Sequence, residues 1–258
     1  MPTFTRALVR PPTPNFTDGL TTAGLGIPDF PRALAQHERY CEALTACGLA
    51  VTRAPADPRF PDATFVEDTA IVTARGAILA RPGADSRLGE VAAIRDTLAA
   101  CVAVTDAIEL PGTVDGGDVC AAGDVYFIGL SGRTNEEGAS QLAAILHRHG
   151  YRAERVDVRG RAGLLHLKSG LAWLGGRRLV AGGGLEDHPA FAGFEVVRAS
   201  PSESYGANCV LLNGTVLLPS GHDGLARAVG ALGLDAIALE MSEFRKMDGG
   251  LSCLSLRF

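Results

Sequence analysis

The sequence predicts a closed α/β ring of five hairpin-plus-helix units, on three observations. One unit recurs: a polar residue, an apolar strand, a Gly or Asn turn, and a second apolar strand. The turns are short, which makes each strand pair antiparallel, whereas an open doubly wound sheet needs a helical crossover after nearly every strand. A fifth unit begins near the C-terminus with one strand only, and an unpartnered strand stands near the N-terminus, so the two can pair and close the ring. An open α/β sheet is the alternative that alternating strands and helices also suggest.

In chain order, Phe4 to Arg10 reads as the N-terminal strand, and Pro31 to Cys47 as a helix with the stripe Leu34, His37, Cys41 and Leu44. The first hairpin starts at Asp68, turns at Gly76, and is followed by the helical stripe Leu88, Val91, Ile94, Leu98. The second starts at Asp118, turns at Gly123, and is followed by Leu142, Ile145, Leu146. The third starts at Ser169 and turns at Gly175, with only the Gly182 to Gly184 loop and a short segment behind it. The fourth starts at Asn208, turns at Asn213-Gly214, and leads into Leu225, Val229, Leu232. The fifth starts at Cys253. These starts lie 39 to 51 residues apart, about one hairpin-plus-helix unit. On this reading residues 1–258 form a single domain.

Composition narrows the function. With 47% hydrophobic and 21% charged residues the chain is ordinary globular material rather than a disordered or fibrous one. A net charge of −5 without runs of like charge lacks the basic face that nucleic acid requires. The N-terminal stretch Met1 to Pro14 lacks the uninterrupted apolar run of a signal peptide, and no apolar run approaches the length of a membrane span, so a cytoplasmic location is expected, without a membrane partner. The six cysteines (Cys41, Cys47, Cys101, Cys120, Cys209, Cys253) contain no C-x-x-C pair and read as reduced thiols.

In a five-unit ring the equivalent first residues Asp68, Asp118, Ser169, Asn208 and Cys253 converge on the axis. Polar groups gathered where apolar ones would pack mark a site. Cys253 follows Asp248-Gly249-Gly250-Leu251-Ser252, whose glycines leave room for a ligand beside the thiol. A terminal-strand cysteine is more often an inert core thiol; its registry with the other axis residues is what singles this one out. A free thiol has a pKa of about 8.5 and needs a base or cation nearby. Of six histidines, His166 lies three residues before the third unit's start, with a plain core histidine as the competing reading. Asp115 lies three residues before the second unit's start, at the matching position in the neighbouring repeat, so it is the carboxylate best placed to orient His166. A simple Asp-Gly turn also accounts for it.

The segment Phe60-Pro61-Asp62-Ala63-Thr64-Phe65-Val66-Glu67-Asp68 brings three carboxylates, Asp62, Glu67 and Asp68, near the axis. A turn end or solvation explains Asp62 or Glu67 alone but not the cluster. A guanidinium satisfies such a cluster with bidentate, charge-assisted hydrogen bonds. Arg87 and Arg133, each after a hairpin and before a helix, are expected farther out as a clamp for a carboxylate. The combined ligand is a guanidino amino acid.

Seven fragments in order now carry a family resemblance: Phe60 to Asp68, Arg81 to Arg87, Gly112 to Val119, Arg133 to Ala139, Leu165 to Gly170, Glu203 to Cys209 and Asp248 to Phe258. Over nearly the whole chain, from Asp18, it resembles the dimethylarginine dimethylaminohydrolases of the guanidino-group-modifying (pentein) superfamily. The resemblance implies the five-bladed α/β propeller and hydrolysis of N-omega-methylated arginines to citrulline and dimethylamine or methylamine, with no metal or organic cofactor. It implies Cys253 as nucleophile, His166 as general acid and base, and Asp115 as its orienting carboxylate, where some relatives carry Glu. Asp62, Glu67 and Asp68 fall on the guanidinium-binding acids, Arg87 and Arg133 on the carboxylate-binding arginines, and Leu20 on a lid leucine. It also implies a covalent S-alkylthiouronium on the cysteine. A homodimer is compatible with the sequence. The rival readings are an arginine deiminase or amidinotransferase acting on another guanidino compound, and a non-catalytic propeller that only binds.

Overall fold

The computed structural model describes residues 3–258. Strand β1 (Arg6–Val9) is followed by helix α1 (Phe30–Ala46), which Asp29 caps through the Arg32 N–H, and by β2 (Ala50–Arg53). The first full unit holds β3 (Ala70–Thr73), β4 (Gly76–Leu79), α2 (Leu88–Ala99) and β5 (Val104–Ala107). The second holds β6 (Val119–Ala122), β7 (Val125–Leu130), α3 (Glu136–Arg148) and β8 (Arg152–Asp157). The third holds β9 (Leu171–Trp173), β10 (Arg178–Ala181) and β11 (Glu195–Arg198), with a 3₁₀ turn, Pro189–Phe191, where the others carry an α-helix. The fourth holds β12 (Val210–Leu212), β13 (Thr215–Pro219), α4 (Asp223–Ala231) and β14 (Asp235–Leu239). A short helix α5 (Ser242–Arg245) precedes β15 (Leu256–Arg257). Among the described residues no helix is long and apolar enough to cross a membrane.

Five three-stranded sheets result, and in each the middle strand is antiparallel to one neighbour and parallel to the other. β1 pairs antiparallel with β15, Leu8 opposite Leu256, which closes the ring as the sequence predicts. The hairpins also fall where the sequence places them. The β12–β13 turn is tight because Asn213 and Gly214 both take positive φ, 50° and 97°, as a two-residue hairpin demands. The third strand of each sheet is a finding the sequence pattern did not show. These outer strands are short, mixed in polarity and largely exposed, as in Val104-Thr105-Asp106-Ala107, so they lack the apolar run that marks a buried strand.

Both faces of each middle strand are buried, against different neighbours. Phe127 packs with Leu171 and Leu179 of the third unit, while Tyr126 and Ile128 beside it pack with Ile71 and Ile78 of the first. Likewise Leu8 joins Ala77 and Ile94, whereas Ala7 and Val9 join Leu44 and Leu217. Strand side chains alternate in direction, so each sheet feeds two cores, and five apolar clusters fill the five junctions.

At the axis, 3₁₀ turns bring the units together, and hydrogen bonds join them in a circle. Gly117 N–H donates to Asp68 Oδ1 at 2.8 Å, and Leu167 N–H to Asp118 Oδ1 at 2.9 Å. Asn208 Nδ2 donates to the Lys168 carbonyl at 2.9 Å, and Ser252 N–H to Asn208 Oδ1 at 3.0 Å. Ser252 Oγ then donates to Glu67 Oε2 at 2.8 Å, back in the first unit. Two expected axis residues are displaced by one position. Ser169 turns back to accept the His166 N–H at 3.3 Å, and Lys168 makes the link instead, because the third unit's turn sits one residue earlier relative to its strand. Ser252 takes the link in the fifth unit, which leaves the Cys253 thiol outside the circle. Asn208→Ala strands the buried Ser252 N–H and the Lys168 carbonyl, and urea unfolding should show a loss of about 2–4 kcal/mol; an unchanged midpoint would count against the circle as a stabilising element.

Candidate active site

Asp115 and His166 occupy the same place in consecutive units, each capping a 3₁₀ turn, Gly116–Asp118 and Leu167–Ser169. That equivalence sets Asp115 Oδ2 2.9 Å from His166 Nε2. A carboxylate only accepts, so Nε2 keeps its proton and Nδ1 is the nitrogen that gains and loses one. Gly117 makes room for this ring: a Cβ there would stand 2.9 Å from both His166 Nδ1 and Asp68 Oδ1.

The carboxylates are themselves held. Asp115 Oδ1 accepts the Gly83 N–H at 2.8 Å, and the Asp115 N–H donates to Thr134 Oγ1 at 3.1 Å. Asp118 Oδ2 accepts from Ser131 Oγ and Thr134 Oγ1, both at 2.7 Å. Burial pushes the Asp118 carboxyl up to about 6. Burial also disfavours the His166 imidazolium, but the carboxylates of Asp68, Asp118 and Asp115 outweigh it and raise this histidine to about 9. Asp115, against the effect of its burial, is held below the usual carboxylate range by the hydrogen-bonded His166.

Cys253 lies on the turn Ser252–Leu254, with the Gly250 N–H 3.4 Å from Sγ. Burial, followed by the Glu67 and Asp68 carboxylates, pushes the thiol up to about 12. One cleft is lined by Cys253, His166, Asp68, Asp62, Arg87 and Arg133, with Leu20 at its edge and Phe65, Leu165 and Met247 as apolar walls. Phe65 is fixed from behind by Phe16 and Phe244, with ring centroids 5.9 and 6.2 Å away.

The acids and arginines differ in their engagement. Asp68 Oδ2 accepts from Arg87 Nη1 at 2.6 Å. Asp62 accepts the Leu20 N–H at 3.1 and 3.2 Å, which ties the loop carrying Leu20 to the cleft; burial raises its carboxyl. Glu67 does not line the cleft. Its carboxylate lies 2.6 Å from Lys168 Nζ and 2.8 Å from Arg257 Nη2, at the centre of the ring. Arg87, expected farther out, is buried in the wall. Its Nε and Nη2 donate to Glu90 at 2.8–3.2 Å and Nη2 also reaches the Phe65 carbonyl, so one N–H of Nη1 is left over. The Arg133 guanidinium has no partner among the described residues and faces the same cleft.

No family model matches the chain. Whole-length relatives do. The N(G),N(G)-dimethylarginine dimethylaminohydrolase of Pseudomonas aeruginosa is 43% identical, covering 99% of this chain and 100% of that one. The enzyme of the same name from Streptomyces coelicolor is 35% identical over 98% of this chain and 96% of its own. The chain belongs to the dimethylarginine dimethylaminohydrolase family. A solved structure of the Pseudomonas aeruginosa enzyme, a cysteine-to-serine mutant complexed with citrulline, superposes with a TM-score of 0.96 at 42% identity, covering 99% of this chain and all of that one. The ring is therefore the five-unit α/β propeller of this hydrolase family.

For a dimethylarginine dimethylaminohydrolase, several supporting residues were not singled out by sequence reasoning. Glu90 fixes Arg87, and Lys168 with Arg257 neutralises Glu67. Only the Arg87 to Glu90 spacing on a helix start gave a readable signal. Asp68, Asp115 and His166 place ligand atoms within 4.8 Å of one another, the spacing of a metal site. The carboxylate oxygens and His166 Nε2 are already engaged by Arg87, Gly117, Gly83 and one another, so a metal would compete with donors in place. In Asp115→Asn, an NMR titration should find the His166 midpoint well below about 9. The group's folded pKa is raised, so its stabilisation is full below pH 6.5 and fades as pH rises through about 9; the stability gap between the two proteins should shrink over that range.

Proposed function

We propose that the chain hydrolyses N-omega-methylated arginines to citrulline and dimethylamine or methylamine, with Cys253 as nucleophile, His166 as acid and base, and Asp115 as its positioning residue. The observation that carries the reading is the cleft shared by the Cys253 thiol and an imidazole backed by a carboxylate, beside the acids Asp68 and Asp62. The citrulline bound to the Pseudomonas aeruginosa relative supports the product.

At rest the thiol is neutral and His166 is protonated. A guanidinium entering beside Asp68 brings the positive charge that offsets the carboxylates raising the thiol, which then releases its proton to solvent. The thiolate adds to the central carbon. As the adduct collapses, His166 gives its proton to the amine nitrogen, the C–N bond breaks, and neutral dimethylamine leaves an S-alkylthiouronium. Neutral His166 takes a proton from water, the hydroxide adds, and as the C–S bond breaks the hydroxyl proton passes to the departing sulfur, which releases citrulline and restores the neutral thiol. Asp62 and Asp68 hold the guanidinium from the cleft, with Glu67 acting from the axis behind it. Arg133 and the free N–H of Arg87 take the substrate carboxylate, and Leu20 covers the entrance. The whole ring of residues 1–258 acts as one catalytic domain. The same reading places the enzyme in the cytoplasm, where thiols stay reduced, and is compatible with a homodimer.

Cys253→Ser should lose turnover more than about 1000-fold while retaining substrate affinity by calorimetry; full activity would remove Cys253 from the nucleophile role. Citrulline release from asymmetric dimethylarginine should exceed that from arginine, and the reverse order would favour the deiminase alternative. The alkaline limb of kcat/KM should lie near the His166 value of about 9, because protonated His166 is the acid that the first collapse consumes.

A further inference from the structure

A second cleft, of about 230 Å³, lies beside the loop that carries Leu20, walled by Tyr205, His222, Glu240, Met241, Arg245 and Leu25. His222 is only 6% exposed. Its Nδ1 lies 3.0 Å from the carbonyls of Pro219 and Ser220, which only accept, so Nδ1 carries the proton and Nε2 presents a lone pair. Among the described residues nothing bonds Nε2, on a ring that forms part of the cleft wall. Nε2 is not sealed from the cleft, so a donor bound there can reach it.

Besides Lys246, whose ammonium is paired with Glu243 at 2.6 Å, the cleft holds one charge of each sign. The Arg245 guanidinium lies over the Tyr205 ring at 4.7 Å and forms no salt bridge among the described residues. Glu240 accepts the Ser242 N–H on one oxygen, and the other reaches only the exposed Arg32, at 3.9 Å. Both charges are near enough to act on the Tyr205 hydroxyl, in opposite directions. A simple anion would meet Glu240, and a simple cation would meet Arg245. A molecule with both charges meets neither objection.

We propose that this cleft binds a small aliphatic α-amino acid. Its carboxylate pairs with Arg245, its ammonium donates to Glu240 and His222 Nε2, and its side chain lies against Met241, Pro219 and Leu25. The walls reach both parts of the active site. Tyr205 Oη donates to the Gly249 carbonyl at 2.9 Å, and Gly249 lines the catalytic cleft. Lys246, in the wall of the second cleft, donates to the Ile27 carbonyl at 3.3 Å in the loop that carries Leu20. An occupant therefore touches the covering loop and the segment before Cys253, and the binding couples to substrate affinity. That coupling, though not the binding, rests on the proposed methylarginine hydrolysis.

The probe is L-leucine, which has no guanidinium for the catalytic acids, titrated calorimetrically into the full chain. Saturable binding is expected, weakened at least about tenfold in Arg245→Gln, whose exposed side chain can be lost without unfolding. 4-Methylpentanoate and 3-methylbutylamine, each lacking one charge, should bind at least about tenfold more weakly than leucine. No saturable heat up to about 10 mM, equal affinity in Arg245→Gln, or equal binding of either single-charge analogue would overturn the site. A leucine-dependent KM change for dimethylarginine, absent in Arg245→Gln, supports the coupling; an unchanged KM at saturating leucine overturns it.

Discussion

The buried ion pair between Asp68 and Arg87 is the constraint on which the site depends. Two charges leave water there, at 5% side-chain exposure each, and such a pair survives only when its remaining hydrogen-bonding groups are met. Glu90 and the Phe65 carbonyl meet those of Arg87 apart from one N–H of Nη1, which opens on the cleft, and Gly117 meets the other oxygen of Asp68. Asp68 in turn heads the carboxylates that keep His166 protonated, and it belongs to the set that keeps Cys253 a thiol. His166 is thus charged and the Cys253 thiol neutral before any ligand arrives. A site built this way responds to a cation rather than to a general increase in pH.

The ring was legible because its evidence repeats. Four hairpins with turns at Gly76, Gly123, Gly175 and Asn213-Gly214, and an N-terminal strand awaiting a partner, left little freedom in topology. The outer strands were illegible for a physical reason: their side chains face water as often as core, so neither an apolar run nor a clean alternation marks them. Likewise the missing helix of the third unit was visible as an absent stripe, but the parallel strand β11 behind it was not.

In the site, backbone equivalence was more informative than residue chemistry. Matching offsets from the unit starts brought Asp115 and His166 together. Charge counting treated the carboxylates Asp62, Glu67 and Asp68 as alike. The chain separates them by which internal cation each meets: Arg87 for Asp68, Lys168 and Arg257 for Glu67, and only the Leu20 amide for Asp62. Those partners come from 19 to 190 residues away, and no local pattern announces them.

The alternation that sends neighbouring side chains of one strand into different junctions gives the molecule a modular tolerance. A change at Phe127 is felt by the third unit and one at Tyr126 by the first, so sequence can drift in one junction without repacking the next. A linear array of such modules would need special polar modules to seal its two ends. Bent into a circle, it has no ends to seal.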